Sequence, residues 1–163
     1  MRKLCTLIAT GFGLGYSPVA SGTVGCFLGI PLAWGISHLP LGAQIASALA
    51  LSLLCIPICN VAEKELGGEK DNGRIVADEY LTFPICLLGV STATLAIWWV
   101  IPMAFVVNRL MDIIKPFPAY RLQSLPGGLG ITIDDFIASL YALGINWLVI
   151  VYGSPIINRI AGV

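Results

Sequence analysis

The chain has 163 residues, is 57% hydrophobic and only 11% charged, and balances nine basic against nine acidic side chains. Its mean hydropathy of +0.89 sets it apart from soluble globular domains. The neutral balance, with no basic tract interleaved with aromatics, excludes nucleic acid as a partner.

Residues 4–62, 80–108 and 136–158 contain no Lys, Arg, Asp or Glu. Such runs are hard to solvate and easy to place in lipid. The expectation is a single domain, residues 1–163: an all-α, compact, polytopic membrane helical bundle with short or re-entrant helices and a polar site at one membrane face.

In chain order, Arg2 and Lys3 precede LCTLIAT, but the apolar run stops at Gly11 and no cleavage site follows, so this start is read as part of the mature protein. Residues 10–25, TGFGLGYSPVASGTVG, are too rich in glycine for regular helix. Thr23 is the expected N-cap of the apolar run VGCFLGIPLAWGI, with Ser21 as the alternative. A glycine-rich approach to a helix start exposes backbone N–H groups that suit a phosphate oxygen, although no Lys follows to make a P-loop. A loop that only allows close packing is the other reading.

Apolar segments at 24–37 and 43–61 come next, joined by HLPLG. Gly25 with Gly29 and Ala46 with Ala50 have small-xxx-small spacing, so the two segments are expected to pack as a hairpin. Basic residues lie before and after it, which puts both ends on the cytoplasmic side.

The acids fall in two stretches. Six of the nine lie in residues 63–79, where Asp78 and Glu79 abut the apolar run YLTFPICLLGV. The other three are Asp112, Asp134 and Asp135. As one helix of roughly 43 Å, residues 80–108 would put the two stretches on opposite membrane faces. Broken near residues 89–94 into a partly re-entrant hairpin, they bring both to one face, where charges compensate one another instead of each costing roughly 2.5–3.5 kcal/mol at depth.

Pro116 is expected to end the following helix near Lys115, with Arg109, Asp112 and Lys115 on one side of its last turns. In GGLGITIDDFIA, Thr132 and Asp135 have capping-box spacing. That leaves Asp134 to explain. Adjacent carboxylates are held ionised by a divalent cation, and oxygen ligands without a His or Cys cluster indicate Mg²⁺ or a similar hard ion. The five cysteines lie in apolar runs and read as packing, and His38, beside Pro40, as a loop residue.

The segments GYSPVASGTVG, DNGRIVADE, NRLMDIIKPFP and GGLGITIDD, in that order over residues 10–140, resemble the four signature blocks of the phosphatidylglycerophosphatase A family. IVxDE, RxxDIxKPxP and GGxGIxxDD are jointly specific. The resemblance implies a small helical enzyme of the bacterial inner membrane, dependent on Mg²⁺. It would hydrolyse the terminal phosphomonoester of phosphatidylglycerophosphate, leaving phosphatidylglycerol and phosphate.

Carried over by position, Asp78, Glu79, Asp112, Asp134 and Asp135 become the metal and acid/base carboxylates. Arg109 and Lys115 become the phosphate clamp, with Gly127, Gly128 and Thr23 placing donors beside them. The nucleophile is left open between a metal-activated water and an aspartate. Thr82 and Ser139 stand where the pattern leads one to expect glycine, Asn108 and Met111 where phenylalanine, and Ser21 where proline. The implied partner is the phospholipid substrate within the membrane, and no obligate protein partner is indicated. A carboxylate-based divalent-cation transporter and a non-catalytic membrane scaffold are the rivals. The first would carry its acids mid-span, and the second does not explain their concentration.

Overall fold

The computed structural model describes residues 2–68 and 72–153, and those residues form helices and turns with no strand. Two long helices form the frame: α4, Leu41–Glu65, and α9, Gly127–Leu148, the latter prolonged by a π-turn to Gly153. They run antiparallel. Gly127 meets Asn60 and Glu63 near one end, and Gly89 touches both Leu41 and Trp147 at the other. Both are long and apolar enough to cross a membrane, yet the most apolar windows of α4 and α9 are only 28% and 22% buried. The core helix of a water-soluble domain would hide most of its surface.

The remaining helices are short: α1 (Arg2–Ala9), α2 (Ser21–Cys26), α3 (Gly29–Ser37), α5 (Ala77–Thr82), α6 (Thr92–Leu95), α7 (Val100–Ile114) and α8 (Ala119–Leu122), with 3-10 turns at Gly11–Tyr16 and Phe83–Leu87. The expected break in residues 80–108 is present. The chain runs down through α5 and the 3-10 turn, reverses at Gly89 with φ +76°, and climbs back along α7. Glycine is required at that reversal, because a side chain strains the left-handed backbone there.

The tip of this hairpin is closed by polar side chains from apolar helices. Asn146 Nδ2 donates to the Cys86 carbonyl and Trp147 Nε1 to that of Leu88, each at 2.9 Å, while the Gly89 N–H donates to Gln44 Oε1 at 2.9 Å. Backbone groups away from water need such partners.

Several local expectations are corrected. The 24–37 segment is divided: α2 starts at Ser21 after Ala20 in a left-handed conformation (φ +47°), with no side-chain cap, so neither Thr23 nor Ser21 is the N-cap. The small-residue face does not zip α3 onto α4. Gly25 and Gly29 instead receive Val76 and Phe83 from the hairpin, and α3 packs chiefly on Ala77–Leu87. Spacing reveals a face open to close approach but not which element fills it. Finally, α9 begins at Gly127, which puts Thr132 in the helix interior, its hydroxyl donating to the Gly128 carbonyl at 2.8 Å. The capping box is therefore not formed. Glycine is needed in this first turn because Gly128 lies against the Ile56 backbone and Gly130 against that of Leu125, and a Cβ would collide with each.

Candidate active site

The acidic stretches meet where α5, α7 and α9 come together. Asp78 and Glu79 lie in the first turn of α5. Arg109 and Asp112 lie near the end of α7, and Asp134 and Asp135 in the buried face of α9. The α7 helix ends at Ile114, as Pro116 predicts, and Lys115 takes up a left-handed cap (φ +47°) that turns its side chain off the helix line.

Arg109 bridges two elements. Its Nη1 stands 3.0 Å from Glu79 Oε2 and its Nη2 3.0 Å from Asp112 Oδ2, with all three side chains about one-eighth exposed. A planar fork can hold two carboxylates at once, which a lysine cannot. Burial alone would pull the guanidinium pKa down, but Glu79 and Asp112 outweigh it and the net shift is upward. Lys115 Nζ contacts Asp134 Oδ2 at 2.6 Å and Gln123 Oε1 at 2.9 Å. Gln123 has no signal in the sequence, because a neutral amide in a turn reads as solvated.

The other carboxylates are more deeply held. Burial, then the neighbouring charge of Glu79, raises the Asp78 pKa well above the carboxylate range. Asp135 is buried, with its carboxyl group within hydrogen-bonding reach of that of Asp112. Asp78 Oδ1 and Asp134 Oδ1 are buried without a hydrogen-bond partner among the described residues. Cys26 adjoins this cluster, but burial pushes its thiol up to about 12 despite nearby Arg109, so it is no thiolate nucleophile.

The glycine-rich loop enters from the other side. Gly22 lies directly against the Glu79 carboxylate, where any Cβ would overlap Oε1. The Ser21 hydroxyl donates to the Gly73 carbonyl at 2.6 Å and ties the loop to the turn that precedes α5. Thr23 follows within α2, half-buried. Gly127 and Gly128 press on α4 instead, so their visible role is packing. Gly22 was the signal missed: its value lies in what it lets approach, which composition does not reveal.

Among the described residues no three His, Cys, Asp or Glu groups form a ready ligand set, since Arg109 and Lys115 occupy several of the oxygens. The chemistry of the donors nevertheless fits a hard cation. All are oxygens, and those of Asp78 and Asp134 include one each that is buried without a hydrogen-bond partner among the described residues. Mg²⁺ retains several waters and takes one or two carboxylates together with substrate phosphate, so a closed protein cage is unnecessary.

A family model described as Phosphatidylglycerophosphatase A matches residues 7–150. The chain belongs to the phosphatidylglycerophosphatase A family. It is 34% identical over 146 residues to a protein named phosphatidylglycerophosphatase A from Escherichia coli (strain K12), covering 88% of this chain and 81% of that one. A Haemophilus influenzae protein of the same name is 37% identical over 141 residues, 84% and 83% of the two chains. A Bacteroides thetaiotaomicron protein named putative phosphatidylinositol-3-phosphatase is 36% identical over 145 residues, 85% and 89%. No solved structure matches. Membership in the phosphatidylglycerophosphatase A family makes this chain a phosphatase.

Four of the departures from the family pattern have partners. Ser139 Oγ donates to Asn108 Oδ1 at 3.0 Å across the buried α7–α9 contact. Thr82 Oγ1 donates to the Asp78 carbonyl at 2.6 Å, and Ser21 makes the bond to Gly73 already described.

Proposed function

We propose that this protein is a membrane-embedded, Mg²⁺-dependent lipid phosphatase that hydrolyses the terminal phosphomonoester of phosphatidylglycerophosphate to phosphatidylglycerol and phosphate. The observation that carries the reading is the convergence of Arg109 and Lys115 with five carboxylates at one end of two membrane-length helices. That position suits a substrate with a charged head in water and acyl chains in lipid.

The basic side chains whose positions are described, including Arg2 paired with Glu65 at 3.5 Å, gather at the same end. By the positive-inside tendency this end faces the cytoplasm, which supports an inner-membrane enzyme with a cytoplasmic site. A transporter would need its acids at mid-span, whereas here Asp134 and Asp135 lie within the first third of the apolar helix Gly127–Gly153.

In the proposed mechanism, Arg109 and Lys115 exchange their carboxylate partners for the oxygens of the phosphate dianion, which orients it and neutralises its equatorial charge. When bound, Mg²⁺ adds positive charge at those oxygens and lets neighbouring carboxylates stay ionised. Asp78, Glu79, Asp112, Asp134 and Asp135 are the residues that would hold it. The unpartnered oxygens of Asp78 and Asp134 are the ones placed to accept a cation or a proton. In the net reaction the phosphorus–oxygen bond to glycerol breaks. Water supplies OH to phosphorus and a proton to the glycerol oxygen.

The test is phosphate release from phosphatidylglycerophosphate by purified protein in detergent, with and without EDTA, beside phosphatidylinositol 3-phosphate. Cation-dependent release from the first, with less from the second, is expected. EDTA-resistant turnover would remove the cation, and preference for the inositol lipid would reassign the head group. Wild-type turnover in Asp112→Asn and Asp134→Asn would end the site assignment.

A further inference from the structure

Beside the carboxylate cluster lies a second polar cleft of about 420 Å³, walled by Tyr16, Ser17, Ser21, Asn72, Arg74 and the backbone of Gly73. It is built by two backbone approaches. The Ser21 hydroxyl bonds the Gly73 carbonyl, and Gly15 lies against the Arg74 backbone so closely that a Cβ would collide. The Arg74 N–H donates to Asn72 Oδ1 at 3.1 Å, which fixes the residue at the cleft wall.

Arg74 is the cation of this cleft, and among the described residues its side chain forms no ion pair. Its guanidinium carbon stands 5.6 Å from the centroid of the Tyr16 ring. Stacking uses the faces of a guanidinium and leaves its edge N–H donors for an anion. The cleft adjoins the catalytic cluster directly, because Ser21 lines it and Gly22, the next residue, lies against Glu79.

We propose that this cleft is a second anion subsite, which takes the phosphodiester of the lipid head group while Arg109 and Lys115 hold the phosphomonoester. The inference rests on the lipid-phosphatase reading and deepens it. A substrate with both a monoester and a diester carries two negative centres a few bonds apart. Arg109 and Lys115 are matched by carboxylates in the cluster, whereas Arg74 has no such match among the described residues. The second phosphate thus meets a cation that the first does not use, and Arg74 selects lipids whose monoester is borne on a phosphodiester head over phosphatidate, which has the monoester alone.

The experiment compares wild type, Arg74→Ala and the control Arg121→Ala, which removes another exposed cation held over an aromatic ring, Phe117. Hydrolysis of phosphatidylglycerophosphate and of phosphatidate is measured in neutral detergent micelles, with and without added phosphatidylglycerol. Arg74→Ala is expected to lower kcat/KM for phosphatidylglycerophosphate about tenfold, through KM, the scale of one solvent-screened charge-assisted hydrogen bond. For phosphatidate the loss should be under twofold, and Arg121→Ala should not separate the two lipids. Equal losses on both lipids, or a defect that appears only when anionic bystander lipid is present, would overturn the subsite. If wild type hydrolyses neither lipid, the reaction is misassigned. The subsite is then decided by calorimetric titration with glycerophosphoglycerol: about tenfold weaker binding to Arg74→Ala supports it, and unchanged binding or no binding to wild type refutes it.

Discussion

Removing Arg109 is the most informative perturbation of this protein. Its two nitrogens each stand 3.0 Å from a carboxylate, Glu79 on α5 and Asp112 on α7, and all three side chains keep only about one-eighth of their exposure. Arg109→Ala leaves two carboxylates facing buried Asp78 and Asp135 without their cation. Breaking a buried pair from one side costs about 3–5 kcal/mol, because the remaining charge is neither paired nor solvated. The residual water contact of this cluster argues for the lower end, about 3 kcal/mol. At about 2–4 °C per kcal/mol for a chain of this size, the melting temperature should fall by roughly 6–12 °C in EDTA.

The buried thiols Cys26, Cys55, Cys59 and Cys86 provide the assay, since a thiol-reactive dye reaches them only on unfolding. Arg109→Lys keeps the charge but cannot fork, so it should lose roughly half as much. Arg109→Ala with Glu79→Gln removes one of the stranded charges and should recover part of the loss. Activity should drop by about 10²-fold or more in every variant lacking the fork. Arg109→Ala melting within 2 °C of wild type, or a double variant no more stable than the single one, would refute the bridging role.

The other predictions use different parts of the site. Gly22→Ala puts a methyl into the Glu79 carboxylate, whereas Gly35→Ala meets nothing within 4 Å; phosphate release should fall at least about tenfold for the first and stay at wild type for the second. Asp78 has a folded pKa above its unfolded value, so stability falls as pH rises from about 4 through that raised pKa. A divalent cation opposes this only where the carboxyl is ionised, so the Mg²⁺-induced rise in melting temperature should be larger at pH 8 than at pH 5, and the reverse order would contradict it. Asn108→Phe should collide with Ser139 and lose their hydrogen bond, costing about 1–3 kcal/mol, and Ser139→Gly added to it should restore part of that; additive losses in the double variant would show that the two positions are independent.

What could be read in the sequence followed from scarcity. With nine acids in an apolar chain, nearly every placement that avoids stranding them brings the two stretches together, and residues 80–108 are indeed broken into a hairpin that does so. Pro116 likewise set the end of α7, because its steric effect is local. Partner choice was not legible. Gly25 and Gly29 announce close packing without naming Val76 and Phe83, and Thr132 has the spacing of a cap although it lies inside α9. Gly128 and Gly130 are needed in that helix because the backbones of Ile56 on α4 and of Leu125 lie against them, which residue spacing does not show. Gln123 and Arg74 carry no signal in the sequence for a related reason: each gains its meaning from what faces it.

The hairpin also explains why polar residues occur where the sequence is otherwise apolar. From Ala77 to Leu88 the descending limb covers roughly 18–22 Å at helical rise, and along α9 the interval from Asp135 to Asn146 is roughly 17 Å. The turn at Gly89 therefore lies at the far end of the bundle, against Leu41 at the start of α4. There Asn146 and Trp147 donate to the Cys86 and Leu88 carbonyls, and Gln44 accepts from the Gly89 N–H. These side chains hold the tip, the tip fixes the limb, and the limb presents Asp78 and Glu79 to Arg109. The geometry at the charged end therefore depends on neutral amides at the opposite end of the bundle.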